Sequence, residues 1–328
     1  MTHPIRVAIA GYGNLGRGVE AALKQNPDMR LVGVFSRRAP TSVTLLDTDV
    51  PVYAMADIEQ YQDEVDVMIL CGGSKTDLPE QGPYLAQFFN TVDSFDTHAK
   101  VNDHYAALNL SAEKTGHVAM LSGGWDPGLF SINRLYGEAI LPEGKTYTFW
   151  GKGLSQGHSD AIRRIAGVQS AAQYTLPIEA AITRVRSGEQ PELTTREKHT
   201  RECYVVLKAG VDEETVRHTI VTMPDYFADY DTKVHFIDQA SFDKDHSTMP
   251  HGGFVIRSGV TGDNNKQTIE YGLTLDSNPE FTSSVLVAYA RAVHRLALSG
   301  EVGAKTVFDI APSLLSAKSP AQLREELL

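Results

Sequence analysis

Six residues near the N-terminus, Gly11-Tyr12-Gly13-Asn14-Leu15-Gly16, place glycine at the spacing G-x-G-x-x-G. The spacing gains meaning from its surroundings. Residues 5–10 are a short, β-rich apolar run, and residues 15–24 carry helical periodicity. Asn26-Pro27-Asp28 then breaks the helix before a second apolar run at 29–35. A glycine turn between a first strand and a first helix suits a pyrophosphate. Gly11 permits the tight turn, Gly13 lets the backbone approach the phosphates, and Gly16 allows close helix–strand packing. The helix start adds unpaired N–H groups and the positive end of its dipole. A dinucleotide is the expected ligand.

The end of the second strand selects which dinucleotide. An acid there would hold a free ribose 2′-hydroxyl, but this chain has Ser36-Arg37-Arg38. Guanidinium forks bind phosphate bidentately, so NADP(H) is expected. Further cofactor contacts are expected where later strands end: Cys71-Gly72-Gly73-Ser74, Ser94-Phe95-Asp96 and Gly123-Gly124-Trp125-Asp126-Pro127. Cys71 reads as a small buried hydrophobe, not as a nucleophile.

These turns must be carried by a parallel sheet. Apolar runs at 65–71, 91–94 and 117–122 are short, continuous and separated by helix-length segments, so both faces of the sheet are covered. After Trp125-Asp126-Pro127-Gly128 the texture changes to longer strand patterns at 146–150, 202–207, 253–258 and 268–275. A terminal helix over 281–299 follows Asn278-Pro279. The expected fold is α/β: a Rossmann-type doubly wound parallel sheet plus a second α+β domain with an open mixed sheet. The expected boundaries are 1–124, with a C-terminal return of about 279–328, for dinucleotide binding. Residues 125–278 are expected to form the second domain.

Composition excludes other classes. The 328 residues carry a net charge of −11, the wrong sign for nucleic acid or an anionic membrane. No run of about 18 apolar residues is present to span a bilayer. Met1-Thr2-His3-Pro4 leads straight into the first strand without the apolar core of a secretory leader. The two cysteines, Cys71 and Cys203, fit a reducing compartment. A cytoplasmic location is therefore expected. The eleven histidines form no H-E-x-x-H or Cys/His ligand spacing, so no metal is expected. Gly153-Leu154-Ser155-Gln156-Gly157 matches the G-x-S-x-G nucleophile elbow. No HGGG-type oxyanion sequence precedes it, and a ligand loop offering backbone amides is the better reading.

Several segments together resemble the meso-diaminopimelate dehydrogenase family. They are residues 7–17, Phe35-Ser36-Arg37-Arg38, Val92-Asp93-Ser94-Phe95-Asp96, Gly124-Trp125-Asp126-Pro127-Gly128 and Phe149-Trp150-Gly151. Residues 153–160, Met249-Pro250-His251-Gly252-Gly253 and Asn278-Pro279 complete the set. The resemblance spans nearly the whole chain. It implies that the D-configured carbon of meso-2,6-diaminopimelate gives a hydride to NADP⁺, and that the imine hydrolyses to L-2-amino-6-oxopimelate and ammonia. The reverse reaction is reductive amination. A homodimer is also implied, as is a place in lysine and cell-wall precursor synthesis.

The residue roles follow the same resemblance. Asp96 and Asp126 are assigned to the reacting amino group, with Trp125 and Trp150 as walls that exclude water. Backbone amides of Gln156 and Gly157 would hold the D-centre carboxylate. Thr175, Arg201, His251 and Asn278 would hold the distal L-centre. From its sequence neighbours alone, Arg201 reads as a solvated charge, and Asp126 can also cap the next helix, a role compatible with the assigned one. The proton of the substrate ammonium has three acceptors open to it: Asp96, Asp126 or water. Two other readings stand beside this one, a dihydrodipicolinate-type reductase and a non-catalytic NADP(H) sensor. The Trp-Asp-Pro-Gly and Ser-Gln-Gly-His-Ser stretches speak against the first. A full zwitterion-binding set would have no use in the second.

Overall fold

Ile5–Ala10 is buried at nearly every position, as a strand covered on both faces should be. The protein is described by a computed structural model over residues 3–328. This first strand, β1, leads through the glycine turn into α1 (Asn14–Leu23) and β2 (Met29–Ser36). β3 (Val52–Ala54), β4 (Val67–Leu70), α2 (Leu78–Leu85), β5 (Thr91–Asp93), α3 (Val101–Thr115), β6 (Val118–Met120) and α4 (Leu129–Ile140) follow. The middle of the chain runs β7 (Gly144–Trp150), β8 (Gly153–Leu154), α5 (Gln156–Arg163), β9 (Val168–Pro177), α6 (Glu179–Arg186) and α7 (Thr195–Lys198). It continues with β10 (His199–Leu207), α8 (Glu213–Val221), β11 (Asp231–Phe236), α9 (Gln239–Asp245), β12 (His251–Thr261) and β13 (Asn265–Leu275). The last elements are α10 (Asn278–Leu298), β14 (Gly303–Lys305) and α11 (Pro320–Leu327).

The chain divides into two units, residues 1–132 with 279–328, and residues 133–278. The first seam falls after Ile132 and not after Gly124. Residues 125–132 are bound back to the first unit by Leu129 N to Gly124 O at 3.0 Å and Phe130 N to Trp125 O at 2.8 Å. Leu129 and Ile132 also pack on that unit's core.

In the first unit seven parallel strands lie in the order β14-β6-β5-β4-β1-β2-β3. The order reverses between β1 and β4, so the turns after those strands open on one crevice, where ligands of such sheets bind. Val7, Ile9, Val67 and Ile69 face a core shared with Val19 of α1 and Val285, Leu286 and Val293 of α10. Ala8, Ala10, Met68 and Leu70 face the opposite core with Leu78 and Leu85 of α2. The helix-breaking Asn26-Pro27-Asp28 has a second task. Buried Arg291 of α10 donates from Nε to Asp28 Oδ2 at 2.6 Å and from Nη2 to Asn26 Oδ1 at 2.7 Å.

The open mixed sheet of the second unit comes as two ladders. One has the order β11-β10-β9-β8, parallel between β10 and β11 and antiparallel elsewhere. The other, β13-β12-β7, is antiparallel throughout. Among the described residues no helix is long and apolar enough to cross a membrane.

Candidate active site

In the first unit the fingerprint glycines do three different things. Gly11 sits at φ +95°, where side chains are strained, and its N–H donates to Phe35 O at 2.8 Å. A Cβ on Gly16 would meet Gly11 O at 2.4 Å, so close packing of α1 against the turn requires glycine. A Cβ on Gly13 would meet nothing within 4 Å. The space over Gly13 is therefore open, and no side chain caps α1 from that position. Exposed Asn14 and half-buried Leu15 begin the helix.

A cavity of about 350 Å³ adjoins this turn, lined by Gly11, Tyr12, Gly13, Ser36, Arg37, Arg38, Met55, Cys71, Gly72, Asp77 and Gln81. Buried Ser36 accepts Arg38 N–H on Oγ at 3.1 Å, and Arg38 Nη2 donates to Tyr12 O. Arg37 reaches instead to Asp77 Oδ1 at 2.9 Å, while Asp77 Oδ2 accepts Gly73 N–H at 2.8 Å. These groups fit a phosphorylated dinucleotide: open amides at a helix start, a backbone-lined cradle and guanidinium groups at the end of β2. Burial pushes the Cys71 thiol pKa upward, so it is no nucleophile at neutral pH. Ser74 Oγ accepts Asp96 N–H at 2.9 Å and Thr97 N–H at 3.2 Å, fixing the turn after β5.

Asp93 ties two of these turns together. Its Oδ1 accepts Phe95 N–H at 2.9 Å and Ser122 N–H at 3.0 Å, and its carbonyl accepts Gly123 N–H at 2.8 Å. Ser122, held at φ +58°, donates from Oγ to Phe95 O at 2.8 Å. The turns carrying Ser94, Phe95 and Asp96, and Gly123 through Pro127, are therefore mutually braced. Asp96 is exposed, and its carboxylate has no partner among the described residues. Trp125 is buried against Phe130 in an edge-to-face pair at 5.2 Å, and Asp126 is half-buried.

In the second unit Thr175 of β9 and Arg201 of β10 are register partners, and Arg201 Nη1 donates to Thr175 Oγ1. Arg201 is only 6% exposed, not solvated as its polar neighbours suggest. Its Cζ lies 3.8 Å from the Tyr230 ring centroid, and no carboxylate pairs with it among the described residues. Burial lowers its pKa, yet guanidinium stays charged. The result is a buried cation without a counter-ion. Burial and then the Arg201 charge lower His158 to about 4. The same two causes, with Lys198, lower His199 to about 3. Both imidazoles are neutral at pH 7, leaving Arg201 as the positive charge of this cluster.

Neutral His199 positions Trp150. Trp150 N–H donates to His199 Nε2 at 2.8 Å, and the two rings stack at 5.4 Å. Ser155 caps α5; its Oγ is 2.7 Å from His158 Nδ1 and accepts His158 N–H. That commits the elbow serine to a local cap. Gln156 and Gly157 form the exposed first turn of α5, with Gln156 Nε2 donating to Met249 Sδ at 3.0 Å. His251 Nδ1 accepts Gly252 N–H at 2.8 Å, and a Cβ on Gly153 would strike its ring at 2.5 Å. Asn278 N–H donates to Met249 O at 2.9 Å. Asp93, His199 and Tyr230 were outside the sequence expectations. The period-two run His199-Thr200-Arg201-Glu202-Cys203 carries a signal for His199 alone of these three, since His199 and Arg201 are buried in phase with Cys203. No cluster of metal-ligating side chains occurs among the described residues.

Residues 124–277 match the family model "Diaminopimelic acid dehydrogenase C-terminal domain". The meso-diaminopimelate D-dehydrogenase of Ureibacillus thermosphaericus is 64% identical over 324 residues, covering 99% of each chain. The structure of C. glutamicum DAP dehydrogenase in complex with DAP matches at 51% identity and TM-score 0.92, covering 100% of each chain. An engineered D-amino acid dehydrogenase bound to NADP⁺ matches at 50% identity and TM-score 0.87, covering 99% of this chain and 100% of its own. With identity this high over nearly its full length, the chain belongs to the meso-diaminopimelate D-dehydrogenase family.

Proposed function

We infer that the chain catalyses the reversible, NADP-dependent oxidative deamination of the D-centre of meso-2,6-diaminopimelate. Substrate, water and NADP⁺ give L-2-amino-6-oxopimelate, ammonium, NADPH and a proton. The observation that carries this reading is Arg201, a buried guanidinium with no carboxylate partner among the described residues. A cation so placed calls for an anionic ligand group. Bound NADP⁺ supplies the hydride acceptor. Arg201 and Thr175 bind the carboxylate of the L-centre, with His251 and Asn278. The α5 amides of Gln156 and Gly157 bind the D-centre carboxylate. Asp96 and Asp126 orient the reacting nitrogen and draw off its proton, directly or through water, while Trp125 and Trp150 exclude bulk solvent. Neither a dihydrodipicolinate-type reductase nor a non-catalytic sensor is favoured beside relatives at 64% identity.

The chain acts as a cytoplasmic homodimer in this reading; its two unpaired cysteines support the location, and light scattering on the purified protein tests the dimer. The activity is tested by mixing protein, meso-diaminopimelate and NADP⁺ and following NADPH absorbance. Reduction with the meso isomer, and little with the L,L isomer or with NAD⁺, is expected. No NADPH formation from the meso isomer would overturn the reading.

A further inference from the structure

We propose that the 2′-phosphate of the cofactor is seated between Arg17, Arg38 and Thr44, which makes Arg17 and Thr44 specificity determinants beside the Ser36-Arg37-Arg38 turn. The inference rests on the NADP reading above. A second cavity of about 350 Å³ lies on the α1 side of Arg38 and shares Tyr12, Gly13 and Arg38 with the first. Its other walls include Arg17, Ser42 and Thr44.

The arginines at this turn differ in how much charge they offer. Arg37 is paired with Asp77, which lines the first cavity beside Met55 and Gln81. A carboxylate at 2.9 Å offsets much of its attraction for a phosphate. Arg38 is oriented by the Tyr12 carbonyl, a contact that consumes a donor but no charge. Neither Arg17 nor Arg38 has an ion-pair partner among the described residues. Two uncompensated guanidinium groups on one cavity are the arrangement a dianionic phosphate requires.

The opposite wall is built in advance. Glu20 of α1 is 1% exposed and accepts Asp47 N–H on Oε1 at 2.6 Å and Leu46 N–H on Oε2 at 3.1 Å. Tyr12 Oη donates to the same carboxylate. With Leu45 buried in the core, the segment bearing Ser42 and Thr44 is fixed to the fingerprint helix. Ser42 Oγ already donates to Ala39 O at 2.7 Å, so the Thr44 hydroxyl is the available donor.

The test is calorimetric titration of the purified enzyme with NADP⁺, NAD⁺, adenosine 2′,5′-bisphosphate and ADP. The variants are Arg17→Ala, Arg17→Lys and Thr44→Val. Arg17→Ala should weaken NADP⁺ and the bisphosphate by about tenfold or more, as loss of a charge-assisted contact does. NAD⁺ and ADP should change less than about twofold, and Arg17→Lys should recover part of the loss. Equal weakening of NADP⁺ and NAD⁺, or no weakening of either, overturns the proposal while the cofactor reading stands. A wild type that binds NADP⁺ and NAD⁺ equally overturns both.

Discussion

His104 Nε2 lies 2.8 Å from Asp93 Oδ2, and both side chains are sealed from solvent at 2% and 1% exposure. The imidazole also stacks on Phe95 at 4.1 Å with an interplanar angle of 16°. Asp93 uses its other oxygen to hold the N–H groups of Phe95 and Ser122. One buried carboxylate thus fixes the two turns that end in Asp96 and Asp126. His104, in the first turn of α3, sets the orientation of that carboxylate.

This pair should couple folding to turnover. Asp93→Ala leaves two backbone N–H groups and an imidazole without their acceptor, and should destabilise the enzyme by about 3 kcal/mol. The folded fraction should also lose kcat, because both turns loosen. Asp93→Asn keeps the Oδ1 acceptor and turns an amide toward His104, which can accept through its other tautomer. It should keep most of both properties. Urea unfolding alongside kcat per folded molecule checks this; an unchanged kcat in Asp93→Ala would reduce the pair to core packing.

The last two fingerprint glycines should fail in opposite ways. At Gly13 a methyl group meets nothing within 4 Å and φ is −102°, so Gly13→Ala should leave thermal stability nearly intact. The methyl would occupy the space that the pyrophosphate needs, and KM for NADP⁺ should rise about tenfold. At Gly16 the methyl meets backbone oxygen at 2.4 Å, and Gly16→Ala should cost about 1–3 kcal/mol of stability. Melting curves and cofactor titrations on the two variants separate the roles.

Much of this was legible because it repeats in the local chain. Continuous apolar runs at short intervals announce a parallel sheet, and the glycine spacing announces its ligand turn. β9 was not legible: Val168–Pro177 mixes alanine, glutamine and serine without clean alternation, since neighbouring strands and both faces enclose it. β3 and β14 are three residues each and gain order only from their partners. Arg201 misleads for a related reason. Its burial is conferred by β9 and Tyr230, distant in sequence, against polar neighbours that suggest solvent. Asp93 reads as a strand-end acid, and nothing local shows that His104 waits eleven residues on.

The two strand-end aspartates should be separable from such bracing residues. Asp96→Asn and Asp126→Asn keep size and remove charge. Each should lower kcat/KM for meso-diaminopimelate by about a hundredfold or more, with melting temperature little changed, because Asp96 is exposed and Asp126 half-buried. Steady-state kinetics with calorimetric melting checks both values. An unaltered kcat/KM in either variant removes that residue from the site.

Arg201 should show the reverse relation between stability and activity. An uncompensated buried cation costs folding energy, so Arg201→Met should hold or raise stability, by about 1 kcal/mol or more. The same change should raise KM for meso-diaminopimelate about a hundredfold, while NADP⁺ affinity holds. A variant that loses stability and activity together would mean that Arg201 braces β9 and β10 instead of binding substrate.

His199 makes the acid limb of the stability curve predictable. Its folded pKa is about 3, against 6.5 when unfolded, so between those values the unfolded chain binds one more proton than the folded chain. Stability from this group is complete above pH 6.5 and falls as the pH drops toward 3, by about 1.4 kcal/mol per pH unit. At pH 5 the loss from His199 alone should be about 2 kcal/mol. His158, lowered to about 4, steepens the same limb in the same direction. His199→Asn retains an acceptor for Trp150 N–H but does not titrate, so its stability should vary less steeply over this window, by about one proton. Urea midpoints taken from pH 4 to pH 8 measure the difference. Parallel curves for wild type and His199→Asn would mean that His199 takes up its proton without unfolding, and that the Trp150 contact does not hold it neutral.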